Sequence, residues 1–221
     1  MFERMQLAVF DMDGLTLDTE RVYYQAQVDA CVAHHFQFNK NKLIEAIGSR
    51  TFDLSGFYFG NIPEHGEEVL DDAYEACVQG LIHNGVKTKE GILEIFSFLQ
   101  KKKIPICIAT SNYRDMAEQL LHSAGVDSYV SDVVTYNDVK HSKPEPDIFL
   151  EALRRFAVLP DRAVVFEDSE NGAIAANRAK IPYVIVPDLK TPGEECIKKA
   201  LLEAPSMKIV LEKMKEDLSE N

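Results

Sequence analysis

No run in this sequence approaches the ~20 apolar residues needed to cross a bilayer. Nothing at its amino terminus resembles a secretory leader, because the stretch Met1 to Gln6 carries charges and leads straight into an apolar strand pattern. These two absences lead us to expect a cytoplasmic protein. Cysteine is scarce: Cys31, Cys77, Cys107 and Cys196 form no CxxC pair or other metal-ligand spacing, so reduced, mostly buried thiols are expected. Cations are outnumbered, with 24 Lys and Arg against 36 Asp and Glu, and the net charge of -12 opposes binding to nucleic acid or to an anionic membrane. A small anionic substrate stays compatible with that charge if a metal and local cations override the field. Internal repeats and low-complexity tracts are also missing, and a composition 46% hydrophobic and 27% charged excludes disorder. The acidic surface permits a monomer.

What is present is an alternation. Strand-length apolar runs recur at Leu7 to Phe10, Ile104 to Ala109, Tyr129 to Val134, Ala163 to Phe166 and Tyr183 to Val186. Between them lie helical patterns over Gly91 to Lys103, Met116 to Ala124, Asp147 to Phe156 and Gly172 to Lys180, the first with Ile92, Ile95, Phe96 and Leu99 on one face. Strands alternating with helices predict an α/β protein with a doubly wound parallel sheet, Rossmann-like, covered on both faces. From about Leu17 to Gly85 the alternation gives way to helical patterns at Val22 to His35, Lys40 to Ile47 and Glu67 to Leu81, broken by Gly56, Gly60 and Pro63. At 221 residues the chain fits one domain with a sizeable insertion. We expect a core of residues 1–16 and 86–221 and an inserted α-helical cap of residues 17–85, with hinges at 15–20 and 84–90. A mobile lid there would exclude water from chemistry at the sheet's carboxyl edge.

That edge collects acids. Asp11 and Asp13 follow the first apolar run, project to one side because side chains alternate along a strand, and are followed by Gly14, which lets the chain turn away. Two acids on one side invite a divalent cation, although Asp-x-Asp alone fits a solvated strand end equally well. The second strand runs into Thr110-Ser111-Asn112, where a helix start offers unpaired N–H groups and Thr110 a hydroxyl to a phosphate oxygen; a plain helix cap by Ser111 or Asn112 is the alternative. In Ser142-Lys143-Pro144-Glu145-Pro146 two prolines stiffen the loop that carries Lys143, whose ammonium can hold phosphate or damp repulsion between carboxylates. The fourth candidate strand ends in Glu167-Asp168, with Asp168 either a metal ligand or a helix cap.

In order and separation these motifs resemble those of the haloacid dehalogenase superfamily of phosphotransferases, in its beta-phosphoglucomutase-like branch with a helical cap inserted after the first motif, and the likeness covers nearly the whole chain. The resemblance implies Asp11 as nucleophile, Asp13 as general acid and base, Thr110 and Ser111 with Lys143 as phosphate binders, and Lys143 as a catalytic cation. It also implies magnesium held by Asp11, Asp168 and the backbone carbonyl of Asp13, with Glu167 as a further ligand, often through water. Hard oxygen donors and a phosphate partner suit magnesium better than zinc.

For the substrate, Gly48-Ser49-Arg50 resembles a cap loop whose arginine contacts a distal phosphate, Arg114 is a second cation for that task, and Glu20 is placed to reach the leaving group or to sit in the first turn of a cap helix. The branch's mutases carry a histidine and a lysine where Tyr23 and Tyr113 stand here, which weakens a mutase reading. Residues 17–85 hold eleven acidic and four basic side chains, a poor place for a second phosphate. The expectation is therefore hydrolysis of a small phosphorylated metabolite such as a sugar or polyol phosphate, with a beta-phosphoglucomutase-type transfer as the alternative. A phosphorylation-dependent receiver switch is disfavoured by the insertion, and a dehalogenase by the proton role of Asp13.

Overall fold

The computed structural model describes residues 2–46 and 64–219. In chain order the elements are β1 (Leu7–Phe10), α1 (Glu20–Ala33), α2 (Lys40–Ala46), α3 (Gly66–Asn84), α4 (Ile92–Lys101), β2 (Ile106–Ala109), α5 (Arg114–Ser123), β3 (Asp132–Val134), α6 (Asp147–Phe156), β4 (Ala163–Glu167), α7 (Glu170–Arg178), β5 (Tyr183–Ile185), α8 (Glu194–Lys199), β6 (Leu202–Glu203) and α9 (Met207–Ser219). The strands form one parallel sheet in the order β3-β2-β1-β4-β5-β6. Chain order reverses at β1, which lies between β2 and β4 with Val9 in register with Cys107 on one side and Val165 on the other. Crevices beyond the carboxyl ends of the strands at such a reversal are where α/β sheets bind ligands.

Period-two alternation divides the sheet's side chains between two cores. Ala8, Phe10, Ile106, Ile108, Val164 and Phe166 face one side, where they pack with α4, α5 and α9. Leu7, Val9, Cys107, Ala109, Val165 and Ile185 face the other, against α6, α7 and α8. Phe10 stacks on Phe166 at 4.5 Å and meets Phe96 edge-on at 5.0 Å, so the strand that carries the first two acids is anchored by aromatic contacts just before them.

Two expected strands are shorter than their apolar runs. The Tyr129 to Val134 run begins as a 3-10 turn, Asp127–Tyr129, because Tyr129 turns inward onto Phe96 and its N–H bonds Val126; strand pairing starts only at Asp132. Ile104 closes the turn after α4, its N–H bonding the Leu99 carbonyl. Beyond Val186 the sequence reading offers no element, yet β6 and α9 complete the sheet and its first core, with Met207, Val210, Leu211 and Met214 buried.

The inserted helices run over residues close to those expected, and Val28, Cys31 and Leu70 make a small core of their own between α1 and α3. The expected breaks at Gly56, Gly60 and Pro63 lie outside the described residues. The insertion's two connections run side by side: Asp18 N–H bonds the Lys87 carbonyl at 2.8 Å and Lys89 N–H bonds the Thr16 carbonyl at 3.0 Å. Asp188, in the loop after β5, accepts from Lys89 at 2.8 Å and from Arg21 of α1 at 3.0 Å, tying core, connection and inserted helix together. Among the described residues no helix is long and apolar enough to cross a membrane.

Candidate active site

The ends of β1, β2 and β4 meet the loop before α6 in one crevice. Lys143 reaches in from the loop before α6, its side chain only 4% exposed, and uses all three ammonium hydrogens: on Asp11 Oδ1, on Glu167 Oε1 at 2.6 Å and on the Ala109 carbonyl at 3.0 Å. Burial works against that charge, but the adjacent Asp11 and Glu167 carboxylates hold the lysine above its ordinary pKa, so it is an ammonium at any working pH. Burial pushes the Asp11 carboxyl up to about 8 against the pull of Lys143, and Glu167 and Asp13 add to the rise.

Asp11, Glu167 and Asp168 each place one carboxylate oxygen within 4.8 Å of the others, all three buried. Asp168 lies well above its usual range, through burial first and then through the charges of Asp11, Glu167 and Glu20. Three buried carboxylates thus face one ammonium, and the surplus negative charge together with an all-oxygen donor set fits a hard divalent cation. The chain is built around this crowding. Gly14 has φ +80°, and a Cβ there would stand 2.4 Å from Asp168 Oδ2; a Cβ on Gly172 would stand 1.9 Å from the Glu167 carboxylate. Glu167 Oε2 accepts from Ser169 N–H at 3.2 Å and Oγ at 2.9 Å, so both of its oxygens are engaged. Ser169, not Asp168, caps α7 by accepting the Gly172 N–H, which leaves Asp168 facing the acid cluster.

Asp13 is held differently. Thr19 Oγ donates to Oδ1 at 2.6 Å and Asn112 Nδ2 donates to Oδ2 at 2.7 Å, one donor from each side of the crevice. Burial raises its pKa while the Thr19 hydrogen bond and Lys143 oppose the rise. This is a carboxyl that is oriented by hydrogen bonds and favoured in its protonated form by burial, the pairing required of a general acid. Neither Thr19 nor Asn112 was singled out from sequence as a partner of Asp13. Asn112 reads there as a helix cap, but α5 starts at Arg114 without a side-chain cap, and the Asn112 amide turns to Asp13 instead. Thr110 is buried, and its hydroxyl accepts the Asn112 N–H at 3.1 Å, which leaves its own O–H to donate; Ser111 is half-buried beside it.

The remaining expected contacts divide. Glu20 is the first residue of α1, its Cγ 3.2 Å from where a Gly14 Cβ would stand and its charge felt by Asp168. Arg114 is drawn away from the crevice, donating to Glu118 at 3.0 Å, Asp138 at 2.7 Å and the Val133 carbonyl at 3.0 Å, because these acceptors surround the start of α5. Arg50 lies outside the described residues. From the inserted helices, Tyr23 and Tyr74 pack their rings at 4.8 Å close enough for Asp13 to act on both phenols.

The sequence profile of haloacid dehalogenase-like hydrolases matches residues 8–186. A phosphorylated carbohydrates phosphatase of Thermotoga maritima is 30% identical over 93% of this chain and 94% of its own length. A fructose-1-phosphate phosphatase of Escherichia coli K12 is 30% identical over 84% of this chain and 98% of its own. Among solved structures, a beta-phosphoglucomutase from Clostridium difficile shares the fold with a TM-score of 0.74, at 21% identity over 98% of each chain.

Proposed function

The chain belongs to the haloacid dehalogenase-like hydrolases, and from that premise we propose that it is a magnesium-dependent phosphatase of small phosphorylated sugars or polyols, acting through an aspartyl phosphate. The observation that carries this reading is the convergence of Lys143 on both Asp11 and Glu167, with Asp168 beside them and Asp13 separately oriented by Thr19 and Asn112. The two relatives act on phosphorylated carbohydrates and fructose 1-phosphate, which supports the substrate class. Residues 1–16 and 86–221 serve as the core and residues 17–85 as the cap that closes over it.

Asp11 is the nucleophile. A phosphate monoester repels a carboxylate, at about 4 kcal/mol for two charges 4 Å apart with an effective dielectric of 20. The Lys143 ammonium lowers that barrier, favours the ionised form of Asp11 against the pull of burial, and aims its carboxylate. Thr110 and Ser111 supply donors to the phosphoryl oxygens at the end of β2. Asp11, Asp168 and the Asp13 carbonyl would hold a magnesium ion, with Glu167 acting through water; bound there, the ion supplies positive charge to the phosphoryl oxygens. Attack by an Asp11 oxygen in line with the ester bond forms the Asp11–phosphorus bond and breaks the bond to the substrate oxygen, whose electron pair takes the Asp13 proton. The resulting Asp13 carboxylate then accepts a proton from the water that releases phosphate and restores Asp11. A phosphomutase would need cations for a second phosphate, and Arg114 is committed to Glu118 and Asp138.

Release of inorganic phosphate from para-nitrophenyl phosphate and from a panel of hexose, pentose and polyol phosphates, with and without magnesium, tests the reading. Turnover is expected only with the metal, and Asp11→Asn is expected to abolish it while the circular dichroism spectrum is unchanged. Retained turnover in that variant would remove Asp11 from the role of nucleophile.

A further inference from the structure

The inserted helices deliver a buried hydroxyl to the crevice that no well-formed hydrogen bond satisfies among the described residues. Tyr23, on the first turn of α1, is only 7% exposed, and its hydroxyl has no hydrogen-bond partner among the described residues. A buried donor left unpaired costs about 1–3 kcal/mol. Its neighbour Tyr74 is satisfied differently, with its hydroxyl toward Met116 Sδ at 3.8 Å on α5 and its ring 4.8 Å from that of Tyr23. That ring contact holds the Tyr23 phenol on the side of the crevice where Asp13 and Glu20 act on it electrostatically.

Asp13 already has a donor on each oxygen, Thr19 and Asn112, and the Tyr23 phenol stands close enough to act on it as well. An oxygen atom that takes up the Asp13 proton must come within hydrogen-bonding reach of that carboxyl. The same position lies beside the unpaired Tyr23 hydroxyl. Burial first, and then the nearby Asp13 charge, hold the phenol far above its ordinary pKa, so it stays protonated throughout a reaction cycle.

We propose that the Tyr23 hydroxyl is the cap's hydrogen-bond donor to the leaving-group oxygen of the substrate, sharing that oxygen with Asp13. The inference rests on the phosphatase reading above and adds a residue to it. An ester oxygen has two lone pairs. As the bond to phosphorus breaks, its electron pair stays on oxygen, one lone pair takes the Asp13 proton, and the other accepts from Tyr23, whose own O–H bond stays intact. Charge on that oxygen grows toward the transition state, so the donor stabilises that state more than the bound substrate. The contribution is largest for alcohols, which are poor leaving groups, and small for nitrophenol, which departs without help. This matches a site for sugar or polyol phosphates, whose leaving oxygens are alcoholic.

The test is Tyr23→Phe, which keeps the ring against Tyr74 and removes only the hydroxyl. Turnover of glycerol phosphate, phenyl phosphate and para-nitrophenyl phosphate is compared in wild type, Y23F and Y74F. For Y23F we expect kcat/KM to fall by about tenfold or more for glycerol phosphate and by less than about threefold for para-nitrophenyl phosphate, with phenyl phosphate between. Y74F is expected to show no dependence on the leaving group. The thermal midpoint of Y23F should equal or exceed that of wild type, since an unpaired buried group is lost. A uniform loss across the three esters, no loss, or a lowered midpoint would overturn the role of Tyr23. A wild-type protein that hydrolyses none of them with magnesium present would instead overturn the phosphatase reading itself.

Discussion

The Lys143 ammonium lies against the Asp11 carboxylate although 132 residues separate the two in the chain. Its two other donors end on Glu167 and on the Ala109 carbonyl, so three hydrogens meet three acceptors and the side chain has one orientation. Lys143→Met is expected to leave two buried carboxylates without their cation and to destabilise the fold by about 3–5 kcal/mol, the cost typical of removing one partner of a buried pair. Turnover should fall below detection at the same time. Urea unfolding followed by circular dichroism reads the first effect and phosphate release the second. An unchanged urea midpoint would show that the lysine does not stabilise the fold.

The metal prediction follows from the same crowding. A ligand bound only by the folded state raises stability by about 2.7 kcal/mol at a hundredfold excess over its dissociation constant. Magnesium is therefore expected to raise the melting temperature of the wild-type protein, and a chelator to reverse the rise. Asp168→Asn removes one of the three clustered charges. In chelator this variant should melt at or above the wild-type temperature, because repulsion is relieved, yet it should gain little from magnesium. A wild-type-sized magnesium shift in D168N, read by scanning fluorimetry, would place the ion elsewhere.

Much of this arrangement was legible because parallel strands collect their carboxyl ends at one edge. Once apolar runs alternate with helical patterns, acids that follow Phe10 and Phe166 must lie at the same edge of the sheet, and the adjacency of β1 and β4 then brings Asp11 to Asp168. The loop carrying Lys143 is another matter. Its reach to Asp11 depends on how far the chain before α6 folds back, which no local pattern encodes, and the family resemblance gave Lys143 only as a phosphate binder and catalytic cation. Asn112 escaped notice because Asn ahead of a helix fits a cap equally well, and only the position of Asp13 across the crevice decides between them. Arg114 misled for the opposite reason: its charge suggested phosphate, while Asp138 and Glu118, nearer in space, took its donors. The carboxyl-terminal helix was missed although its signal is there: Met207, Val210, Leu211 and Met214 recur at helical spacing and all are buried. By contrast β6 has only two residues, too few for any period to show.

Asp138 provides a pH-dependent test of the core itself. It closes the turn after β3, where its Oδ2 accepts from Thr135 N–H and Oγ, both at 2.8 Å, and from Arg114 at 2.7 Å, while Oδ1 meets Arg155 at 2.7 Å. Burial alone would raise its pKa, but the Thr135 donors and Arg155 outweigh it and bring the carboxyl from 3.8 down to about 2. A carboxyl whose pKa is lower in the folded state binds its proton less readily there than in the unfolded chain. Its stabilising effect is thus complete above 3.8, and is lost as the pH falls through about 2. Asp138→Asn should cost roughly 1 kcal/mol at pH 7, after allowance for solvent screening. Relative to wild type, that deficit should shrink as the pH is lowered below 4 and approach zero near 2. Paired urea titrations of the two proteins across that range would show it directly, and a deficit that stayed constant with pH would mean that the geometry of the Thr135 turn, rather than the charge of Asp138, is what stabilises this end of the sheet.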